Sequence, residues 1–215
     1  MAQREQARIC EGMVCMSHQQ QLDFVAAVKA EFPEHFSQTK VLEVGSLDIN
    51  GSVRQFFENP DKYIGCDLGE GPGVDIVCRG HELPYPDGMF DVVISCECFE
   101  HDKHWDKTFQ KMIDLVRDGG LVIFSCATIG RPEHGTTRTS PADAPFTNDY
   151  YRNLREEDFN DFKPLFKQYK FGQCLRPRDL YFWGLKWTIL KTCPPMLQPP
   201  SQWMRWNCKP SSRKT

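Results

Sequence analysis

The stretch VLEVGSLDINGS, residues 41–52, decides the fold. A short apolar run that carries one acid, Glu43, turns at Gly45 and leads into a segment with the composition of a helix start. In an α/β sheet, ligands bind in the crevice at the carboxyl ends of the strands, where such a turn opens. Gly45 has no Cβ, so the backbone there can approach a ligand closely. Three polar side chains that can cap the following helix or bind a ligand come next: Asp48, Asn50 and Ser52.

The residues around this stretch continue the pattern of an α/β protein. Runs of Val, Ile and Leu without alternation predict strands buried on both faces of a parallel sheet, at 41–44, 63–66, 74–77, 90–95 and 121–126. Helical patterns cover 18–31, 52–58, 105–116 (ended by Gly119 and Gly120) and 155–166. The last two strands are predicted at 166–174 and 180–191. We therefore expect a Rossmann-like, doubly wound and mostly parallel sheet with helices on both faces and a C-terminal antiparallel hairpin.

Length and charge predict one domain in a soluble, cytoplasmic protein. Of the 215 residues, 1–192 are expected to form the domain with an N-terminal helical segment, and 193–215 a tail with five prolines. The net charge of −3 offers no general attraction for nucleic acid. No apolar run resembles a secretory signal or reaches the ~18 residues that cross a bilayer, so no membrane contact is expected.

The cysteines are expected to be free thiols. All ten are scattered through the chain without CxxC spacing, which is unlike the framework of a small secreted protein. Cys96 and Cys98 come nearest to a pair, but alternate residues leaving a strand make a poor chelate. We therefore expect no structural zinc.

A nucleoside cofactor is the first candidate ligand. A dinucleotide site would require G-x-G-x-x-G after the first strand, whereas Gly45, Leu47 and Asn50 occupy the three glycine positions. Glu43 would also repel a pyrophosphate, but it suits a ligand that carries an ammonium and a sulfonium group. Asp67 follows the second strand, where an acid can accept hydrogen bonds from ribose hydroxyls.

Four segments in this order resemble the motifs of class I S-adenosylmethionine-dependent methyltransferases, a broad family of small bacterial-type enzymes that act on diverse small molecules. They are EVGSLDINGS, YIGCDL, GHELPYPDGMFDVVISCECFEHD and LVRDGGLVIFSCA, and the similarity covers roughly residues 40–128. The resemblance implies that S-adenosylmethionine is the cofactor. It places Glu43, Gly45 and Ser46 at its amino-acid end, with Asp48 in the same turn, Asp67 at the ribose and Leu68, Gly80 and His81 at the adenine. Arg79 stands where the family often has an acid that meets the adenine amino group.

By the same resemblance, the reaction takes place after the fourth strand, near Cys96, Glu97, Cys98, Glu100 and His101. His101 is the first candidate for a general base, because the unperturbed pKa of histidine lies near neutrality. His134 is the second candidate. Metal-dependent catechol-type enzymes need clustered carboxylates after the fourth and fifth strands, and Ala127, Thr128 and Ile129 follow the fifth strand here, so no catalytic metal is expected.

The long polar segment 130–151 is predicted to be a lid over the acceptor. We expect methyl transfer to a small molecule, with a hydroxyl oxygen as the acceptor atom, while nitrogen and carbon acceptors stay open. A nicotinamide-dependent oxidoreductase and a non-catalytic cofactor-binding or scaffold protein of the same fold are the alternatives. The cofactor that protects the protein against heat distinguishes the first, and an acceptor pocket distinguishes the second.

Overall fold

The structure, a computed structural model, describes residues 19–49, 51–147 and 149–187. Within these residues seven strands form one sheet in the order β3-β2-β1-β4-β5-β7-β6. The strands are β1 (Lys40–Val44), β2 (Lys62–Asp67), β3 (Ile76–Val77), β4 (Phe90–Cys96), β5 (Val116–Ala127), β6 (Phe166–Cys174) and β7 (Asp179–Lys186). β1 to β5 are parallel, and β7 pairs antiparallel with both β5 and β6. The predicted doubly wound sheet with its closing antiparallel hairpin is confirmed.

One α-helix covers each face of the sheet in the described residues. Helix α1 (Gln19–Glu31) packs Val25 and Val28 against the face that holds Val92 and Ile94. Helix α2 (Trp105–Leu115) packs its apolar stripe on the opposite face, with Val93 and Phe124. Because neighbouring residues of a strand point to opposite faces, the uninterrupted apolar runs fill both cores.

Three local predictions are wrong. The segment predicted as a helix at 52–58 forms only a 3₁₀ turn, Val53–Phe56, capped by Oγ of Ser52. The predicted helix at 155–166 is two 3₁₀ turns, Glu156–Phe159 and Lys163–Leu165. Gly119 and Gly120 do not end α2, which stops at Leu115, but lie in the first part of β5. In the two segments predicted as helices, the apolar residues are spaced as in a helix. The segments lack the length that a stable helix needs.

The strand order reverses between β1 and β4, and this position creates the cleft. β1 pairs with β2 on one side and with β4 on the other, so Val44 lies level with both Cys66 and Ser95. The turns that follow these three strands therefore meet at one edge of the sheet, which is where doubly wound proteins bind ligands. The proline-rich segment 193–215 and Asn50 lie outside the described residues.

Candidate functional site

A cleft of about 460 Å³ opens at the carboxyl ends of β1, β2 and β4. Its walls come from the turns after these strands, from α1 through Gln21, and from the loop that contains Phe146 and Tyr150. A volume in this range is typical of a site for a small molecule or cofactor. The sequence did not indicate Gln21, because its position beside Cys96 depends on how α1 packs on the sheet.

The turn at Gly45 can be made only by a glycine without strain. Its φ is +79°, and a Cβ added there would lie 2.7 Å from Cβ of Cys98. The amides of Gly45 and Ser46 both donate to the carbonyl of Cys66, which fixes the turn to the end of β2. The hydroxyl of Ser46 is buried and has no hydrogen-bond partner, so a polar group is available at the floor of the cleft.

Glu43 is a buried acid at the bottom of the cleft. Its Oε2 accepts a hydrogen bond of 2.9 Å from the hydroxyl of Tyr63 and lies 3.7 Å from Nε of Arg54. Burial raises the pKa of Glu43 to about 7, although Tyr63 and Arg54 both act to lower it. A ligand ammonium group at this position would favour the carboxylate form.

Asp67 lines the cleft at the end of β2, as predicted. Its Oδ2 accepts from the amide of Leu47 at 3.0 Å and its Oδ1 from the amide of Leu68 at 2.6 Å. Burial raises the pKa of Asp67, and the backbone amides partly oppose that effect. The carboxylate is therefore oriented by backbone on the β1 side of the cleft, next to space that a ligand can enter.

The other residues assigned to the cofactor by resemblance divide into two groups. Leu68, Gly80 and Cys96 line the cleft. Asp48 and His81 are not among the residues that line it. Oδ1 of Asp48 accepts from the amide of Gly51 and closes the turn, and the ring of His81 packs against the ring of His104 with 4.9 Å between their centroids.

His101 lies at the end of the cleft, in the 3₁₀ turn Phe99–His101 after β4. The side chain is buried, and neither ring nitrogen makes a hydrogen bond of normal geometry, although the backbone of Tyr150 lies near the ring. Burial, more than the neighbouring His134, lowers the pKa of His101 to about 3. The imidazole is therefore neutral at physiological pH, and it is a weak base.

His134 does not line the cleft but packs behind His101. The two rings meet edge to face with 5.0 Å between centroids, and the ring of Tyr151 touches both. Burial lowers the pKa of His134. Glu100 completes this group, since ligand atoms of Glu100, His101 and His134 all lie within 4.8 Å of one another. The sequence does not indicate this cluster, because His134 is 33 residues from His101 and only the path of the loop brings them together.

Beside this group lies a buried network of charges. Arg131 is paired with Asp179 of β7, and its guanidinium is 3.7 Å from Oε2 of Glu97. Glu97 accepts a hydrogen bond of 2.8 Å from Oγ of Ser125. Burial, with repulsion from Glu100, raises the pKa of Glu97 well above its usual value, and burial raises that of Glu100 to about 7.

The loop predicted as a lid extends across the cleft. Residues 143–147 and Tyr150 contribute to the cleft wall. A Cβ on Gly69, in the turn after β2, would lie 2.1 Å from the ring of Phe146, so the loop packs directly on the ribose side predicted for the cofactor. Asp149 accepts hydrogen bonds from the amide and hydroxyl of Thr137, which ties the last part of the loop to Thr137 inside it.

No helix among the described residues is both long and apolar enough to cross a membrane. The six cysteines described are all free thiols. Cys66 and Cys78 approach to 3.6 Å between sulfur atoms, and both line the cleft.

Comparisons with known proteins agree with this geometry. Residues 42–124 match the model of a methyltransferase domain. Ajmaline N-methyltransferase of Rauvolfia serpentina is 38% identical over 42 residues, a match that spans 20% of this chain and 14% of that protein.

Two solved structures share the fold. One is 1,6-didemethyltoxoflavin-N1-methyltransferase of Burkholderia thailandensis, with S-adenosylhomocysteine bound, at a TM-score of 0.57 and 14% identity over 86% of this chain and 84% of that one. The [4+2]-cyclase SpnF has a TM-score of 0.55 and 13% identity over 79% and 83% of the two chains. At these identities the likeness concerns the fold alone. Residues 42–124 thus match the model of a methyltransferase domain, and the described residues share the fold of these solved structures.

Proposed function

We propose that this protein transfers the methyl group of S-adenosylmethionine to a hydroxyl oxygen of a small molecule. The observation that carries the proposal is the arrangement of Glu43, Gly45 and Asp67 around one cleft that continues to His101. The acceptor would enter beside His101, beneath residues 130–151. The same arrangement argues against a nicotinamide cofactor, because the buried acid Glu43 would face a pyrophosphate.

The residues of the cleft fit the proposed cofactor. A carboxylate at Glu43 can pair with its ammonium group, and the unpartnered hydroxyl of Ser46 can bind its amino-acid end. Asp67 can accept from ribose hydroxyls. Gly45 leaves the space that a side chain would fill. S-adenosylmethionine supplies an electrophilic methyl group when bound, so the protein acts mainly by orienting the acceptor and excluding water.

The acceptor end of the cleft contains buried groups that can handle a proton. His101 as the general base stays a prediction, and its pKa of about 3 weighs against it acting alone. Glu100, with a pKa of about 7, is better matched to proton acceptance at neutral pH. His134 remains the second histidine candidate and would act through His101, against whose ring it packs.

An amine nitrogen is the second candidate acceptor. The two buried acids Glu97 and Glu100 could pair with a cationic amine, and two of the similar proteins are named as N-methyltransferases. The two acceptor classes differ in what they require of the site. A hydroxyl loses its proton in the reaction, so its site must offer a proton acceptor. A cationic amine must lose its proton before its nitrogen can attack, and ionised acids in the site favour its binding.

Calorimetry on the full chain tests the cofactor first. We expect S-adenosylmethionine and S-adenosylhomocysteine to bind and to raise the melting temperature, since a ligand at a hundredfold excess over its dissociation constant adds about 2.7 kcal/mol of stability. NAD and NADP serve as control ligands and should do neither. Binding of a nicotinamide cofactor, or no binding of either sulfur compound, contradicts the proposal.

Transfer of a radiolabelled methyl group tests the acceptor. Matched pairs of small molecules that differ only in a hydroxyl or an amine should be offered to the protein, and we expect label in the hydroxyl compounds. Label in the amines alone would replace oxygen with nitrogen as the acceptor. Cofactor binding without transfer to any acceptor class would favour a non-catalytic protein of the same fold.

A further inference from the structure

The group formed by Glu100, His101 and His134 has the composition of a metal site. Each residue offers one ligand atom, and these atoms lie within 4.8 Å of one another. All three side chains are buried, with Glu100 fully so. Ligand atoms around a tetrahedral or octahedral ion with bonds of about 2.1 Å are about 3–3.5 Å apart when adjacent, so movements of about an ångström would close the site.

Four polar atoms in this group have no hydrogen-bond partner of normal geometry. They are Oε2 of Glu100, Nδ1 and Nε2 of His101, and Nε2 of His134. A buried polar atom without a partner is costly, and several that converge on one point are suited to holding a ligand. These atoms also converge on each other rather than being dispersed through the core.

In His134 and Glu100, the polar atom that would not bind the metal is held by a backbone group. Metal-ligating side chains are usually oriented in this way. Nδ1 of His134 lies 3.1 Å from the carbonyl of Pro132, and donating to it leaves the lone pair of Nε2 free. Oε1 of Glu100 accepts from the amide of Ala127 at 3.1 Å, which leaves Oε2 free. Backbone partners of this kind orient ligating side chains and set the tautomer of a histidine.

The local charge balance also favours a cation. Three acids, Glu97, Glu100 and Asp179, are buried in the network, and the one guanidinium that the structure describes among them is that of Arg131. Buried charges are normally paired or bind a metal. In their ionised forms the three acids outnumber the guanidinium, and a divalent ion beside Glu100 would balance that excess.

We propose that Glu100, His101 and His134 bind one divalent first-row transition-metal ion, such as Mn²⁺, Fe²⁺ or Zn²⁺, at the acceptor end of the cleft. Two imidazoles and one carboxylate form the set that leaves coordination positions open, and imidazole ligands disfavour Mg²⁺ and Ca²⁺. His101 also lines the cleft, so an ion held by this group would lie at the cleft wall. The site runs against the prediction that no catalytic metal is present, which concerned carboxylates after β4 and β5 and did not include His134.

The role of the ion rests on the proposed function, whereas its binding does not. An ion at this point would bind the acceptor hydroxyl and lower its pKa, so that the proton leaves to water. The oxygen lone pair then forms the new bond to carbon as the carbon–sulfur bond breaks onto sulfur. This role removes the need for His101 or Glu100 to act as a base.

Binding of Mn²⁺ to the full, tag-free chain without cofactor is the test. Mn²⁺ is chosen because the thiols of the cleft favour softer ions. We expect electron paramagnetic resonance titration to show one bound Mn²⁺ per chain and displacement by Zn²⁺. Electron spin echo modulation of the bound ion should show nitrogen from two imidazoles.

Three variants locate the site. His101→Gln, His134→Gln and Glu100→Gln should each weaken Mn²⁺ binding at least tenfold, the scale on which even outer partners act. His35→Gln is the matched control, because that buried histidine contacts Gly119 near the opposite end of β5 and should leave binding unchanged. Melting curves confirm that each variant is folded.

The proposal is overturned if the wild-type protein binds no Mn²⁺, or if the bound Mn²⁺ shows no imidazole nitrogen. This holds whatever the variants show. Unchanged affinity in folded His101→Gln or His134→Gln also overturns it. Because no cofactor or acceptor is present, failure here leaves the methyltransferase proposal standing. Failure of S-adenosylmethionine to bind would leave the metal site standing.

Discussion

The hydroxyl of Tyr63 donates a 2.9 Å hydrogen bond to Oε2 of Glu43 between the neighbouring parallel strands β1 and β2. Burial of Glu43 outweighs this bond and the nearby charge of Arg54, so the pKa of the carboxyl rises to about 7. The charge of the cleft floor therefore changes near neutral pH. Two properties of the protein follow that change, cofactor affinity and stability.

We expect affinity for S-adenosylmethionine to fall as the pH drops below about 7, because a protonated Glu43 cannot pair with the ammonium group. Glu43→Gln should bind about tenfold or more weakly at high pH, a charge-assisted bond being worth about 1.5–3 kcal/mol, and should lose this pH dependence. Tyr63→Phe should move the midpoint to higher pH, since the bond it removes lowers the pKa. Calorimetry on both sides of pH 7 measures the affinity of the wild type and of both variants. If Glu43→Gln keeps the pH dependence of affinity, that dependence belongs to another group.

Stability should depend on pH in the opposite direction to affinity. The pKa of Glu43 is about 7 in the folded chain against a usual 4.5, so folding favours the protonated form. Its contribution is complete below about 4.5 and is lost as the pH rises to 7, by about 3 kcal/mol in the cofactor-free protein. Denaturant unfolding of the wild type and of Glu43→Gln measures the difference. Parallel pH curves for the two proteins would contradict this.

Gly45→Ala is expected to damage both the fold and the cofactor site. The new Cβ would meet Cβ of Cys98 at 2.7 Å in addition to the strain of a φ of +79°. Gly88→Ala is the matched control, because Gly88 has a φ of +69° but its nearest neighbour would be at 3.7 Å. We expect the control to lose about 1 kcal/mol and Gly45→Ala clearly more, with weaker cofactor binding in Gly45→Ala alone. Equal losses of stability would mean that the contact with Cys98 relaxes freely.

Asp67→Ala should weaken cofactor binding about tenfold or more and also lower stability, because the carboxylate accepts two backbone amides. Asp67→Asn keeps an acceptor oxygen, so it should recover part of the stability but little of the affinity. Calorimetry and thermal melting of both variants separate the two roles. Affinity unchanged in Asp67→Ala would show that Asp67 is structural.

The sequence predicts well where local chemistry decides the outcome. Uninterrupted apolar runs located the parallel strands, and the spacing of Glu43, Gly45 and Asp67 located the cleft. The metal-binding group could not be predicted, because a loop without periodicity brings His134 onto His101. The helix predicted at 52–58 failed for a related reason, since a four-residue 3₁₀ turn and a short helix share the same apolar spacing.

Arg131→Gln tests how much the guanidinium of Arg131 stabilises the buried acids of the described network. Removing a partner from a buried ion pair costs about 3–5 kcal/mol, and here Asp179 loses its pair while Glu97 loses a nearby charge. The penalty should be largest above pH 7 and should shrink as the pH falls, because Glu100, whose pKa burial raises to about 7, becomes neutral.

Arg117→Gln is the control for that variant, since Arg117 pairs with Asp91 where its own side chain is 47% exposed. An exposed pair contributes at most about 1 kcal/mol. We expect its loss of stability to be small and nearly independent of pH between about pH 5 and 8, where Asp91, with its pKa lowered by Arg117 despite partial burial, stays ionised. Denaturant unfolding across that range compares the two variants. If the Arg131→Gln penalty is also constant with pH, the buried acids are already neutral in the wild type.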